Sequence, residues 1–583
     1  MSGSRPPQDT GPGDTLLNLV LGLFAALVAV AAMFHLAVRA AAALTGHDPA
    51  IRFGDTVTAV RTSPFDPLAG YPAGVQGDLP PALLVWPLAI ALAAVPAGLL
   101  LWWRLRRAAT RQPDGLATRA QLRSSLLAGA AVRRARQVRP SLAGAKRPDP
   151  GSWAMFLGNH PCGPLYAQHE DSTLLIGPPR MGKTMWFAVG AILDAPGAVV
   201  ATSTKAELVR LTATARGSDG RPIHVFDPED IAQWPDQLRW SPVDGCEDPG
   251  VASERSRAFV AAVPLGQSAK NADFFTQGAD TVLRCLLHAA ALAGKTMREV
   301  SAWAADFDND EPLNILRGDD RAAPGWHGAL RTFTRGAADT VSSTKMTLGL
   351  ILKPLASPRV MAAVTPPPGE GLDVEQFLAE RGTLYLLSEG DDGSTAPFVT
   401  ALADHIVKVA KRVSQRRPQG RLDPPLRLVL DEAANVAPLP NLAGLMSDSG
   451  GRGLTLVVVL QSPDQGRNRW GDKGYGALWA AATAKMVLGG LADANDLEQL
   501  SRLCGERRIR RTSTTRAAHQ SGSVTESEER ERVLPPEKIL TMPVGEALLF
   551  YRNMPPALVR LRPWWNRSDA AAIRAAQQEG TPA

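Results

Sequence analysis

STLLIGPPRMGKTMWFAVGAIL, Ser172 to Leu193, decides the fold. Its first five residues read as a short buried strand. GPPRMGKT, Gly177 to Thr184, then matches G-x-x-x-x-G-K-[ST], and an apolar helical stretch follows. Strand, loop and helix in that order are the context a phosphate-binding loop requires. The candidate nucleotide contacts are Gly177, Pro178, Pro179, Arg180, Met181, Gly182, Lys183 and Thr184. The two glycines let the backbone turn so that N–H groups face phosphate. Lys183 sets a point charge on the β- and γ-phosphates of ATP, and the Thr184 hydroxyl reaches Mg²⁺. The following helix adds its positive end.

Such a site needs a second strand that ends in an acid. Leu426 to Glu432, LRLVLDE, supplies it. Asp431 is the candidate for the Mg²⁺ shell, and Glu432 for polarising the attacking water. Thr184 and Asp431 lie 247 residues apart, far more than a plain α/β ATPase core needs. Strand-like runs occur at Ala198–Thr202 and Ile223–Asp227, and the next is Gly382–Ser388. Between them the apolar residues recur at helical spacing, as in Asp280–Ala293. An all-helical insertion is therefore expected. Leu454–Gln461 and Ala484–Gly490 read as further central strands. Gln461, at a strand's C-terminal end, is placed to sense a γ-phosphate. Arg452, in the glycine-flanked GGRG, is a candidate arginine finger for a neighbouring protomer; the plainer reading is a surface arginine.

Composition bounds the rest. The chain has 583 residues, 45% hydrophobic and 21% charged, which excludes wholesale disorder. Cys162, Cys246, Cys285 and Cys504 are too dispersed for a zinc site or a disulfide framework. The net charge of +6 is uneven: Arg104 to Arg147 holds twelve bases against Asp114. A general nucleic-acid coat is not supported, whereas a local basic patch is. Leu16–Val38 and Ala82–Trp103 carry no charge over 23 and 22 residues, each enough to span a bilayer. Arg104, Arg106, Arg107 and Arg111 follow the second stretch, which puts the C-terminal mass in the cytoplasm. Near the membrane these arginines suit anionic lipid headgroups.

The expected layout is a cytoplasmic N-terminus (1–15), a transmembrane helix (16–38), an extracytoplasmic loop (45–81) and a second transmembrane helix (82–103). A basic juxtamembrane linker (104–150) leads to a nucleotide-binding domain (151–248 and 368–565), interrupted by an all-α insertion (249–367) and followed by a tail (566–583). The tail reads as a short frayed helix. Arg507, Arg508, Arg510, Arg511 and Arg516 read as a Ser/Thr-rich loop ahead of the acidic Glu526–Glu531.

Two apolar spans, GPPRMGKT, LVLDEAANVAPLPNL, GRGLTLVVVLQSPDQ and AKMVLGGLADANDLEQLS together resemble the type IV coupling proteins of conjugative DNA transfer, the TraG/TraD-like ATPases. The resemblance covers roughly residues 10–565. It implies an α/β fold with a RecA-like P-loop ATPase core, a mostly parallel sheet, an inserted all-α domain and two N-terminal transmembrane helices. It also implies a homo-hexamer in the inner (cytoplasmic) membrane. ATP hydrolysis would drive a relaxase-bound single-stranded DNA into a type IV secretion channel, with Arg452 as the finger and Gln461 as the sensor. Many members carry an acid before the lysine of the second-strand motif; TSTKAEL, Thr202–Leu208, has Ser203 and Thr204 there. Two other readings are a membrane-anchored double-stranded DNA translocase and a non-hydrolysing membrane scaffold. The first would end in a winged-helix domain, and 18 residues follow Trp565. Against the second stands the complete set Lys183, Thr184, Asp431 and Glu432.

Overall fold

A computed structural model describes residues 12–109, 115–146, 149–263, 272–367, 369–390, 394–515 and 523–579. The chain divides into two compact units, Met1–Gln112 and Pro113–Ala583.

The first unit is built on two long helices, Pro12–Thr45 and Ala82–Ala109. Val28–Thr45 is long and apolar enough to cross a membrane; the apolar part of the second helix, Ala82–Val95, is shorter. Among the described residues one span is therefore supported where two were expected. The expected outside loop is ordered. It contains a helix, Phe53–Thr62, and packs Ile51, Ala59, Val60 and Tyr71 against Phe34, Ala37 and Val38. A buried chain of hydrogen bonds links them, His35 Nδ1 to Thr56 Oγ1 and Thr56 Oγ1 to Tyr71 Oη, each 2.8 Å.

The second unit is a mixed sheet of eleven strands in the order β2-β1-β13-β12-β9-β3-β8-β7-β4-β6-β5. The strands are β1 Met155–His160, β2 Gly163–Ala167, β3 Thr173–Ile176, β4 Val199–Ser203, β5 Ile223–Phe226, β6 Thr383–Leu387 and β7 Leu426–Leu430. After them come β8 Leu454–Leu460, β9 Ala484–Leu488, β10 Glu506–Thr515, β11 Ser523–Arg532, β12 Glu546–Tyr551 and β13 Ala557–Arg560. From β9 to β5 every pairing is parallel. Strands buried on both faces read as continuous apolar runs, and so it is here. Leu174 and Ile176 enter the core on one face and Leu175 the core on the other; Leu428 and Leu430 oppose Val429 in the same way. The antiparallel strands β12, β13, β1 and β2 extend one edge.

Between β5 and β6 every described helix or strand is a helix, from Pro249–Ala262 through Ala338–Leu352 to Val374–Ala379. Ala272–Leu292 is the long axis of this bundle, and Leu283, Leu286 and Leu287 bury into the same core as β3 and β7. Cys246, Cys285 and Cys504 are buried and Cys162 is partly buried; all four are free thiols.

Three expectations need correction. The segment read as a juxtamembrane linker folds from Arg119 onward as helices Arg119–Ser125 and Ala128–Val138, with Leu122 and Leu126 fully buried. Its arginines find carboxylates far along the chain: Arg134 pairs with Glu170 at 2.7 Å and Arg139 with Asp423 at 2.9 Å. The tail is not frayed in its helix, Ala570–Glu579, which docks Ile573 into the core while Arg567 bonds Asp194 at 2.8 Å. The Ser/Thr-rich loop is an antiparallel ribbon of β10 and β11, in register from Glu506 opposite Arg532. Cross-strand charges hold it: Arg507 meets Glu531 at 2.8 Å and Arg511 meets Glu529 at 3.0 Å. Arg516 lies outside the described residues.

Candidate active site

The phosphate loop springs from the middle of the parallel block. β3 is held by β9 on one side and β8 on the other. Where it ends, Gly177 N–H donates to Leu460 O at 3.1 Å. A Cβ on Gly177 would lie 2.7 Å from Leu488 Cβ, so no larger residue fits. Gly182, at φ +93°, takes the left-handed turn into the helix. Pro179 and Arg180 form the exposed tip. Met181 packs against the core beneath. Lys183 Nζ donates to Pro178 O at 2.9 Å and closes the loop on itself. Burial lowers the Lys183 ammonium's pKa, against the pull of Asp431 and Glu432.

Opposite stands the acidic strand end. Thr184 Oγ1 donates to Asp431 Oδ2 at 2.7 Å, closing the 247-residue gap in sequence. Asp431 is buried, and its other oxygen, Oδ1, has no hydrogen-bond partner. Burial pushes this carboxyl up to about 6; the Thr184 bond opposes the shift and the neighbouring Glu432 adds to it. A buried carboxylate that lacks a partner for one oxygen is costly unless a cation completes it. With the Thr184 hydroxyl beside it, this donor set suits a magnesium ion, which takes oxygen ligands. Glu432, half-buried at φ +53°, is a non-glycine residue in the left-handed region. Such strain persists where surrounding structure enforces it, often at functional sites.

The order of strands places Gln461. Because β8 lies between β3 and β7, its C-terminal residue emerges between the phosphate loop and the Asp431–Glu432 pair. Gln461 N–H donates to Gln465 Oε1 at 2.8 Å. Arg452 is not brought to this cluster. It precedes β8, so about 20 Å of strand separates it from Gln461 at roughly 3.3 Å per residue. Its Nε meets Asp448 Oδ2 at 2.8 Å.

Two contributors, Thr202 and Gln465, escaped the motif reading, while Lys205 entered it only as the lysine of TSTKAEL. Thr202 Oγ1 donates to Asp431 O at 2.9 Å and fixes the acidic turn. Lys205 lies close enough to bear electrostatically on Lys183. Gln465 bridges Gln461 to Asn435, donating to Asn435 Oδ1 at 3.2 Å. For Lys205 the signal was its place just past a parallel strand, where such sheets gather their ligands.

A strand–loop–helix phosphate loop facing a buried acidic strand end puts the chain in the P-loop class of α/β proteins. Comparison with known proteins narrows this. Residues 425–544 match the family described as the TraM recognition site of TraD and TraG. The chain is 20% identical over 411 residues to the conjugal transfer protein TraG of Agrobacterium fabrum, covering 67% of this chain and 60% of that one. It is 22% identical over 426 residues to VirD4 of Rhizobium rhizogenes, covering 68% and 60%. The match thus spans less than two thirds of these relatives' own length. In fold it resembles the unbound conjugative coupling protein TrwB, with a TM-score of 0.53 and 20% identity over 75% of this chain and 91% of that one. TrwB with a non-hydrolysable ATP analogue gives the same score over 75% and 93%. The chain is therefore a relative of the type IV coupling proteins, as its motifs suggested.

Proposed function

We propose that this chain is a membrane-anchored ATPase that couples ATP hydrolysis to the transfer of a relaxase-bound single DNA strand into a type IV secretion channel. It works as a homo-hexamer in the cytoplasmic membrane. The observation that carries the reading is the half-satisfied Asp431, bonded to Thr184 and bare at Oδ1, across from Lys183. Its relatives TraG and VirD4 and the coupling protein TrwB, crystallised with ATP and GTP analogues, support it.

Loop N–H groups and Lys183 hold the β- and γ-phosphates, with Gly177 to Thr184 as the cradle. Thr184 and Asp431 would hold Mg²⁺, which neutralises charge on the phosphates and supplies no proton chemistry of its own. Glu432 accepts the proton of the attacking water, and Gln461 orients it from the strand end between. Arg452 acts on the next protomer's site: its place at the far end of β8 suits delivery outward rather than inward. Both N-terminal helices cross the membrane, and the arginines after the second meet anionic lipid. The region matched by the TraM-recognition family carries Asp431, Gln461 and the β10–β11 ribbon, so a relaxosome protein docks there.

Lys183→Ala removes one charge and leaves the loop backbone. ATP turnover should vanish, with or without single-stranded DNA, while thermal unfolding stays within a few degrees of the parent. Turnover at the parental rate would sink the motor reading.

A further inference from the structure

Helix Ala128–Val138 lines a cavity of about 560 Å³, within the size range of ligand sites. Glu170, just before β3, and Arg421, just before β7, also line it, so it opens at the edge where the parallel strands begin. Four guanidiniums face this space, those of Arg133, Arg134, Arg421 and Arg552. Among the described residues they share two carboxylates. Arg134 meets Glu170 at 2.7 Å, Arg421 stands 3.6 Å from the same group, and Arg552 meets the buried Asp171 at 2.8 Å. Arg552 does so from a left-handed backbone, φ +50°, a strain that surrounding structure must enforce. Arg133 is exposed and folds back over its own helix: its Nη1 lies 3.7 Å from where a Cβ on Gly129 would stand. Gly129 is in the first turn, the positive end of the helix, where a further positive charge is unfavourable. An anion beside both would turn that repulsion into attraction. Ser125 and Gln137 add a hydroxyl and an amide to the same wall.

Guanidinium forks match phosphate oxygens two at a time, so a phosphate group is the anion this wall fits best. The space suits one phosphate and its ester, and Glu170 on the wall would repel the further charges of a continuous strand. Position in the sequence favours a phospholipid headgroup, since Ser125 comes 16 residues after Ala109, the end of the second long apolar helix.

The wall also holds the loop that carries Arg452. Arg421 donates from Nε and Nη2 to Gly451 O, at 3.3 and 3.2 Å, and from Nη1 to Val138 O. Beside it, Leu422 N–H donates to Arg452 O at 2.9 Å. Whatever draws on the Arg421 guanidinium therefore bears on both Gly451 and Arg452.

We infer that this cavity takes the phosphate group of an anionic ester, a phospholipid headgroup or its soluble counterpart, and that the bound group holds the Gly450–Gly453 loop in place. What this means for catalysis, through Arg452, rests on the motor reading; whether the site binds does not.

The test uses the full chain in detergent micelles, with Mg²⁺ and a non-hydrolysable ATP analogue filling the phosphate loop so that Lys183 takes no part. Glycerol phosphate and the short-chain lipid dihexanoyl phosphatidylglycerol are titrated by calorimetry, with dihexanoyl phosphatidylcholine as the control for acyl chains alone. Arg133→Gln should weaken binding of either anionic ester on the order of tenfold, the loss of one charge-assisted hydrogen bond. Gln137→Glu, which sets a carboxylate in the wall at the same side-chain size, should weaken it comparably. Arg210→Gln, on helix Glu207–Gly217 and outside the cavity, is the charge-matched control and should bind as the parent does. Bound ester should also slow amide hydrogen exchange at Leu422 and Gly453, whose N–H groups bond Arg452 O and Gly450 O, and should fail to do so in Arg133→Gln at the same concentration. Arg133-dependent binding of phosphatidylglycerol that is markedly tighter than that of glycerol phosphate identifies lipid as the source; equal affinities identify a soluble ester, and both results uphold the site. Parental affinity of Arg133→Gln for both esters, or unchanged exchange at Leu422 with the site filled, would overturn the assignment. So would an oligo-dT strand that displaces glycerol phosphate at lower concentration than phosphatidylglycerol does, since the wall would then serve nucleic acid.

Discussion

The parallel strands have two ends, and the two edges they make are built on opposite terms. At the edge where strands finish, polar groups are left short: Asp431 Oδ1 has no partner, Lys183 turns back on Pro178 O, and Glu432 sits in a left-handed conformation. At the edge where strands begin, charge is bound up. Arg216 donates to Ala195 O, Gly197 O and Thr383 Oγ1 at 2.7–2.9 Å. Arg427 donates to Ala191 O at 2.6 Å and meets His169 Nδ1 at 2.9 Å, with only its Nε lacking a partner. Arg139 bonds Asp423, and Arg567 bonds Asp194. One edge keeps ligand capacity in reserve; the other uses its charges to fasten helices Ala128–Val138 and Ala570–Glu579 to the sheet. Buried polar groups that are fully paired fix a structure, and those left wanting await a partner.

Arg452 is the residue that tests this division most severely. It belongs by position to the fastened edge, yet it is proposed to act in catalysis. A catalytic arginine supplied across an interface is worth about 10³–10⁵ in rate. Arg452→Ala should lose that much turnover. Mixed with the equally dead Lys183→Ala chain it should recover part of it, because some interfaces then pair a sound site with a sound finger. Mixed assemblies that form and stay inactive would return Arg452 to the surface. Glu432→Gln, on the reserve edge, should cut hydrolysis by about 10²–10⁴ while nucleotide still binds. Loss of binding, read with a fluorescent nucleotide, would make Glu432 structural.

On the fastened edge the expected effect is on stability. Asp423→Ala leaves Arg139 buried without its carboxylate and should cost about 3 kcal/mol, measured by denaturant unfolding, with turnover per folded molecule unchanged. The same edge should be sensitive to acid. Burial first, then Arg427 and Arg139, hold the His169 pKa well below 6.5, so the unfolded chain binds a proton the folded one refuses. Stability from this group is complete above about 6.5 and falls as pH drops below it. The smallest effect belongs to the β10–β11 ribbon. Its ion pairs are exposed, and Glu529→Gln should change stability by about 0.2–1 kcal/mol, less in high salt.

The division also marks what could be read from the chain. The reserve edge was legible because its chemistry is local: GPPRMGKT and LVLDE are contiguous, and each follows an apolar run dense enough to declare a buried strand. The helical insertion was legible from its period. The fastened edge was not, because its partners lie far off: Arg134 and Glu170 are 36 positions apart, and Arg139 and Asp423 are 284. Without its carboxylates a run of arginines looks solvated, and so Arg119 to Arg139 resembled a linker. The ribbon hid for a related reason, since its strands alternate no apolar residues and declare themselves only when Arg507 is set against Glu531. Strands β1, β2, β12 and β13 went unread because they are short and two of their pairings, β1 with β13 and β12 with β9, are made across distant parts of the sequence.

The position of β3 has a consequence for how the protein is made. Its neighbours β8 and β9 follow it by nearly 280 residues or more. At about 5–20 residues per second of synthesis, TLLI leaves the ribosome roughly 15–60 s before the strands that flank it. During that interval an apolar segment with two open edges is exposed beside a growing chain, where it invites aggregation. Such a chain depends on holdase chaperones in proportion to translation time, and slowing elongation before Leu454 lengthens the wait.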